Sequence, residues 1–571
     1  MKAILPSPDH SYLGEKLVEA KVITAQQLRQ AQQLQEQSDK RLDQILIELG
    51  LVSVEEVARL RSRQLNIPLV DLRRCQVQSE ALGLIRESTA REYNVLPLEV
   101  TNGALKVAMA EPEDIQAVEN LSAQARMRIE PVLATADDIQ EAIEVNYRLC
   151  AEIETQISQL TIQEVSAAIT EHRLLADELA EKPLPRAVNL LIQQAVRDRA
   201  SDIHLTPQEE RVRVRFRIDG ILHDMMSLPL SIHEALVSRI KILAGMNIAE
   251  RRRPQDGQLS LMVADRNIDI RVASIDTIYG EMVVLRVLDK SRSLFTLSQL
   301  GLMADSLARY RQMLRSPYGM ILIAGPTGSG KTTTLYASID ELDREQRNIM
   351  TIEDPVEYHF KDINSIQVNP RAGVTFAGGL RAILRLDPDV ILVGEIRDAD
   401  TAKTAVQAAI TGHLVLSSIH ANDAVGVLSR LRDLGVEPFF ISTAVIGVAS
   451  QRMVRRICPH CRALVKAPME ERLAYERELG EKRSQFYYGA GCNFCANTGY
   501  LGRTGVFEFL SLNEPIRRLL VAGASEKDIR AEAIKAGMVP MRHDGMRSVK
   551  QGITTPCEVI RNVFTIDELK M

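Results

Sequence analysis

Met320-Ile-Leu-Ile-Ala324 runs directly into Gly325-Pro326-Thr327-Gly328-Ser329-Gly330-Lys331-Thr332, and Thr-Thr-Leu-Tyr-Ala comes next. Five apolar residues without a polar break suit a strand buried on both faces. The next eight satisfy the phosphate-loop pattern G-x-x-x-x-G-K-[ST], and the residues after Thr332 read as helix. Glycines let the backbone N–H groups turn inward around phosphates, and the helix N-terminus adds its positive dipole end. Lys331 can then reach β- and γ-oxygens, and the Thr332 hydroxyl is placed for Mg²⁺. Gly325, Pro326, Thr327, Gly328, Ser329, Gly330, Lys331 and Thr332 are therefore the expected nucleotide-binding residues.

Outward from the loop, residues 291–450 alternate apolar strands (Gly319–Ala324, Asn348–Ile352, Val390–Val393, Leu414–Ser418) with helical segments. That alternation predicts a mostly parallel sheet flanked by helices, with ligands at the C-terminal ends of the strands. Phosphoryl transfer also needs acids that hold the metal's water shell and orient the attacking water. Two strand ends supply them: Thr351-Ile-Glu353-Asp354-Pro-Val-Glu357 and Asp389-Val-Ile-Leu-Val-Gly-Glu395. His413 and His420 flank the strand Leu414–Ser418, so they are expected near its opposite ends. One is a candidate for phosphate or water, the other for a neighbouring subunit.

Composition removes other classes of function. Seventy Lys and Arg against 75 Asp and Glu leave a net charge of −5, so no general basic field favours nucleic acid. Aromatics are 4% with no Trp, which leaves few rings on which bases could stack. The N-terminal stretch Met1–His10 lacks the pattern of a secretory signal, and no apolar run is long enough to span a membrane, so a cytosolic location is expected. Cys458-Pro-His-Cys461 and Cys492-Asn-Phe-Cys495, with 30 residues between the pairs, offer four thiolates. Four sulfurs suit a closed tetrahedral structural Zn²⁺ that leaves no position for catalytic water. Cys75, Cys150 and Cys557 follow no such pattern.

The rest of the chain divides by pattern. Tyr12–Gln35 and Arg41–Gln64 repeat at an offset of 29 residues, with Thr24 and Ser53 at matching helix N-cap positions. Residues 66–147 read as a small α+β module, and 148–185 as an acidic linker ending in Lys-Pro-Leu-Pro. Residues 186–290 form a second α+β domain beginning with a helix at Ala187–Arg199. The P-loop core at 291–450 is followed by a zinc-binding and helical region at 451–571. The expected fold class is α/β: a P-loop domain preceded by α+β domains and a helical N-terminal repeat region (1–147 in all), with a zinc-binding insertion.

The P-loop, the Thr351–Glu357 acidic box, the Asp389–Glu395 strand, the His413/His420 segment and the cysteine pairs together resemble the secretion ATPases that drive type II secretion and type IV pilus assembly. Ala200-Ser-Asp-Ile-His-Leu205, Arg215-Phe-Arg-Ile-Asp-Gly220, Arg253-Pro-Gln-Asp-Gly257, Arg381-Ala-Ile-Leu-Arg385 and the segment Cys495–Gly505 add to the likeness. The resemblance implies hexameric rings of RecA-like motor domains, ATP with Mg²⁺ between the 186–290 domain and the P-loop domain, and an inner-membrane platform protein as partner. It implies Glu357 as general base, Glu395 and Glu353 in support of Mg²⁺ and water, and Arg215, Arg217, Arg381 and Arg385 as γ-phosphate or inter-domain sensors. The location it implies is cytoplasmic and peripheral at the inner membrane.

The first 147 residues resemble the N-terminal domain of the same ATPases, whose paired repeats bind cyclic di-GMP in some members. Arg41-Leu42, Gly50, Gln64, Leu13-Gly14 and Gln35 fit that pattern. Tyr12, Lys21 and Asp43 depart from it by removing an arginine, replacing a glycine and adding a carboxylate beside a phosphate site. Two readings stay open there, a cyclic di-GMP site and a docking surface for a cytoplasmic adaptor. For the whole chain the alternative to an ATPase motor is a nucleotide-gated scaffold or cyclic di-GMP-responsive regulator without efficient turnover.

Overall fold

The computed structural model describes residues 17–18, 23–36, 42–72, 75, 77–101, 103–147, 183–263, 266–289, 295–495 and 498–564. Two compact units form, a smaller one of Met1–Thr155 with Ala490–Thr498 and a larger one of Gln156–Gly489 with Gly499–Met571. Among the described helices none is long and apolar enough to cross a membrane.

In the first unit, Ser53 caps the helix Val54–Leu65 through a reciprocal capping box with Glu56. Thr24 exchanges the same pair of bonds with Gln27 ahead of the helix Ala25–Glu36. The sequence repeat is thus a repeat of local chemistry, because each cap satisfies N–H groups the first helical turn leaves without partners. Leu17, Ile23, Leu42, Leu46, Val52 and Val57 close a shared core. Tyr12, Leu13, Gly14, Lys21 and Arg41, on which the cyclic di-GMP comparison rests, lie outside the described residues. Beyond the repeats, β1 (Val95–Thr101), β2 (Ala104–Met109) and β3 (Arg128–Leu133) form a three-stranded sheet. β1 is antiparallel to β2, and β2 is parallel to β3.

The first described element of the larger unit is the helix Pro183–Arg197, which starts ahead of the expected Ala187. Prolines in a first helical turn lose no intrahelical hydrogen bond, so Pro183-Leu-Pro185 opens this helix instead of ending a linker. Residues 148–182 of the expected linker lie outside the described residues. Six antiparallel strands follow: β4 (Asp202–Pro207), β5 (Arg211–Ile218), β6 (Ile221–Pro229), β7 (Gln255–Val263), β8 (Arg266–Thr277) and β9 (Gly280–Asp289), in the order β6-β5-β4-β9-β8-β7. Strict alternation in Arg211-Val-Arg-Val-Arg-Phe-Arg sorts the faces. Val212, Val214 and Phe216 are fully buried, and the arginines occupy the other side.

The second sheet of this unit holds β10 (Gly319–Ala324), β11 (Ile349–Glu353), β12 (Asn364–Gln367), β13 (Val390–Ile396), β14 (Leu414–Ile419) and β15 (Val445–Ile457). It continues, after the hairpin β16 (Arg462–Lys466) and β17 (Gln485–Gly489), into β18 (Tyr500–Ser511). The order is β12-β11-β13-β14-β10-β15-β18, with every neighbour parallel except β18 on β15. Met320 through Ala324 are all 0% exposed, and each large side chain buried there stabilises the fold by about 1.5–3 kcal/mol. The sheet does not stop at residue 450, because β15 crosses that position and carries the chain to Cys458. Helices such as Ala399–Ile410 cover one face with Ala402, Ala405, Val406 and Ala409. The parallel strands therefore deliver their C-terminal ends to a common edge.

Candidate functional site

The phosphate loop leaves β10 at that edge. Gly325 has φ +148°, and a Cβ there would lie 2.5 Å from the Ser329 hydroxyl oxygen and 2.6 Å from the Gln451 carbonyl oxygen. Gly330, the N-cap of the helix Lys331–Asp340, takes φ +87°. Both positions need glycine, one for lack of space and one for its left-handed backbone. Lys331 donates from Nζ to the carbonyl oxygens of Gly325 at 2.9 Å and Pro326 at 3.1 Å. Burial lowers its pKa, the Glu395 carboxylate opposes that shift, and Arg452 adds to it.

Two acids stand on the same edge, each placed by its strand. Glu353 ends β11 and is 4% exposed. It accepts from the Thr351 hydroxyl at 2.7 Å and from the Tyr336 hydroxyl, so both oxygens are engaged. Burial raises its pKa, and those two bonds work against the rise. Glu395 follows a bulge in β13, where the register against β14 slips between Val393 and Glu395. The bulged residue Gly394 lies against Glu353, and Ser418 donates to its carbonyl oxygen at 2.7 Å. A bulge re-aims the next side chain. Here the Glu395 carboxylate meets the Arg397 guanidinium and lies 3.6 Å from His420 Nε2.

Glu357 is half-buried beyond the end of β11, and its N–H donates to the Tyr336 hydroxyl at 3.3 Å. Burial pushes its pKa up, and the charges of Arg271 and Arg286 pull it down. Those arginines pair directly across β8 and β9, on the six-stranded sheet. The residue that the resemblance implies as general base thus lies within the field of two arginines of that sheet.

The other expected residues divide. His420, at the C-terminal end of β14, joins Glu395; burial and the Lys331 charge lower its pKa. His413 precedes the same strand, at the end away from the loop, where its ring contacts the Ala408 carbonyl oxygen at 3.0 Å. Arg217 donates to the Gly220 carbonyl at 3.1 Å and lies 3.7 Å from Asp202, which Arg286 also pairs at 3.0 Å. Arg215 stands beside them with a buried Nε that lacks a hydrogen-bond partner among the described residues. Arg381 and Arg385 are exposed at the end of the helix Phe376–Ile383. Sequence reasoning missed Tyr336, Arg271, Arg286, Arg397 and Gln451. None of them carried a local signal: β8 and β9 each bring one of the paired arginines, and Arg397 lies just past β13.

A cavity of about 300 Å³ adjoins the loop, between Pro326–Ser329 and the Asp219-Gly220 turn, with Arg452, Arg455, Arg503 and Arg561 in its wall. Asp219 accepts from the Gly502 N–H at 2.9 Å, which fixes that turn of the six-stranded sheet. Four guanidiniums against two carboxylates, Asp219 and Glu558, suit a polyanionic ligand.

The sulfurs of Cys458, Cys461, Cys492 and Cys495 all lie within 4.8 Å of one another. Cys492 Sγ and Cys495 Sγ are 3.6 Å apart, close to the roughly 3.8 Å edge of a tetrahedron whose metal–sulfur bonds are about 2.3 Å. The donor set fits a metal ion held by four thiolates.

Residues 177–564 match the family described as Type II/IV secretion system protein, and residues 65–149 match the MshEN domain. The Type IV pilus assembly ATPase PilB of Myxococcus xanthus is 39% identical over 562 residues, covering 96% of this chain and 98% of that protein. The Type II secretion system protein HxcR of Pseudomonas aeruginosa is 47% identical over 404 residues, covering 71% and 82%. Among solved structures, the ATPase DotB of Legionella pneumophila shares the fold at TM-score 0.50 and 20% identity, over 66% of this chain and 94% of that one.

Proposed function

The chain belongs to the Type II/IV secretion system family, and from that premise we propose that it is a Mg²⁺-dependent ATP hydrolase acting as a hexameric motor for type IV pilus assembly or type II protein secretion. The observation that carries this reading is the shared strand edge that gathers Lys331, Glu353, Glu395 and His420, with Glu357 in the field of Arg271 and Arg286.

In this reading the loop N–H groups and Lys331 hold the β- and γ-phosphates, and Lys331 exchanges its bonds to Gly325 and Pro326 for phosphate oxygens. Thr332 and Glu395 would hold Mg²⁺, which neutralises charge as the γ-phosphoryl transfers. Glu357 takes the proton from the attacking water. Burial suits it to that task, because a base needs a pKa above the ordinary carboxylate range to accept a proton near neutral pH. Glu353, with both oxygens engaged, serves instead to fix the segment that carries Glu357. Arg215, Arg217, Arg271 and Arg286 approach the γ-phosphate when the six-stranded sheet closes on the loop, and such an arginine can be worth about 10³–10⁵ in rate. Arg381 and Arg385, both exposed, would serve a neighbour in a ring. His413 supports the start of β14.

Closure and release around a ring would then move an inner-membrane platform protein, with the motor cytoplasmic and peripheral to that membrane. A Zn²⁺ at the four cysteines holds the excursion between β15 and β18. The MshEN match over 65–149 supports cyclic di-GMP as a regulator acting through the first unit; titration calorimetry with the dinucleotide tests this. Phosphate release from ATP by the full chain, with and without Mg²⁺, tests the catalytic reading. Lys331→Ala is expected to abolish both turnover and ADP binding, and undiminished turnover in that variant would reject the site.

A further inference from the structure

Gln451 belongs to none of the motifs, yet it touches the phosphate loop at both ends. It lies on β15 just past Ser450, which pairs with Ala324, the last residue before the loop. Its side chain is 1% exposed and makes two bonds. Nε2 donates to the Ser329 carbonyl oxygen at 2.5 Å, and Oε1 accepts from the Thr334 hydroxyl, on the helix behind the loop, at 2.8 Å. Its own carbonyl oxygen is, with the Ser329 hydroxyl, one of the atoms that a Cβ on Gly325 would strike, and its Nε2 would stand 3.1 Å from a Cβ on Gly330. With donor and acceptor both committed, the amide has one orientation.

The bond to Ser329 has a consequence for the ligand side of the loop. In a trans peptide the C=O of one residue and the N–H of the next point in opposite directions. Holding the Ser329 carbonyl outward against Gln451 therefore turns the Gly330 N–H inward, toward the space where the loop receives phosphate. We propose that Gln451 is a positioning residue for nucleotide binding: from outside the loop it fixes the Ser329–Gly330 peptide so that the Gly330 N–H faces the phosphates. The inference rests on the nucleotide-site reading above. It makes the grip of the loop depend on the seating of β15, the strand that continues to Cys458.

The test uses the full chain, a fluorescent ADP derivative as probe, and Mg²⁺-ATP turnover. Gln451→Glu keeps the size and the acceptor for Thr334 but sets an oxygen against the Ser329 carbonyl. Thr334→Val keeps the Ser329 bond and leaves the amide free to rotate. The dissociation constant for the probe is expected to rise about tenfold in the first and about threefold in the second. KM for ATP should rise in parallel with kcat within about twofold of wild type, because the loop holds phosphates in ground and transition state alike. General destabilisation would instead lower kcat and the melting temperature together with no such split, and that result overturns the proposal. Probe affinities within about twofold of wild type in folded variants also overturn it, with the nucleotide site left standing. If Gln451→Glu does not fold, Thr334→Val alone decides on the same criterion. Failure of the wild-type chain to bind the probe overturns both the site and the inference.

Discussion

Tyr336, on the helix behind the phosphate loop, gives its hydroxyl proton to the buried carboxylate of Glu353 at the end of β11, and the same hydroxyl oxygen accepts the N–H of Glu357. One phenol thus couples the helix that grips phosphate to the segment that carries the base. Phenylalanine at 336 would keep the ring contacts with Tyr358 and Phe360 while leaving a buried carboxylate and an N–H short of a partner. Such a loss costs about 1–3 kcal/mol. Tyr336→Phe is expected to melt a few degrees lower and to lose about tenfold in kcat with ADP affinity unchanged, which calorimetry and turnover assays check.

The acid side of the pH profile reports on Glu357. The base works only when ionised, and burial raises its pKa, so activity should fall with decreasing pH at values above the ordinary glutamate range. Arg271 and Arg286 favour the ionised form, so removing either raises the pKa further. The acid limb of kcat/KM is therefore expected to move to higher pH in Arg271→Ala and Arg286→Ala, and a shift to lower pH would contradict the assignment.

The two histidines should separate. His420 lies beside Glu395 and within the field of Lys331, whereas His413 sits at the far end of the strand against the Ala408 carbonyl. His420→Ala is expected to reduce kcat by about ten- to a hundredfold, in the range of a lost polar contact to reacting groups. His413→Ala should leave kcat of the folded protein within about threefold and show its effect in thermal stability. Equal losses of kcat would mean that His413 acts in a site made by neighbouring chains.

Metal analysis of the purified chain should return one zinc per polypeptide, and Cys458→Ser should lose it. A structural zinc supplies an apparent binding free energy of about 10–16 kcal/mol in small modules. Chelation is therefore expected to lower the melting temperature, while ATP turnover survives at temperatures where the chain stays folded. A folded preparation without metal would reject the four-thiolate centre.

The phosphate loop and the cysteine pairs were legible because their chemistry lies in short, contiguous spacings. The strand Gly319–Ala324 was legible from its apolar run. His413 and His420 were treated alike because strand length separates them without saying which end faces the loop. The direction of a parallel strand carries that information, since the site gathers at C-terminal ends. Gln451 and Tyr336 were invisible for another reason. Their roles come from contacts with residues far along the chain or in another element, and no local pattern marks a glutamine or tyrosine for such a contact. β15 was obscured as well. Its first half, Val445–Gln451, is uncharged, but its charged second half, Arg452 to Ile457, reads as surface until β18 pairs with it. The paired role of Arg271 and Arg286 needed the register of β8 on β9.

The central claim is that ATP bound at Lys331 is split by water activated at Glu357. Parallel measurement of ADP affinity and Mg²⁺-ATP turnover in Glu357→Gln tests it most directly. The account predicts wild-type affinity with turnover reduced at least about a hundredfold, in the range for loss of a general base. Turnover within a few-fold of wild type, or loss of nucleotide binding in step with turnover, would contradict it.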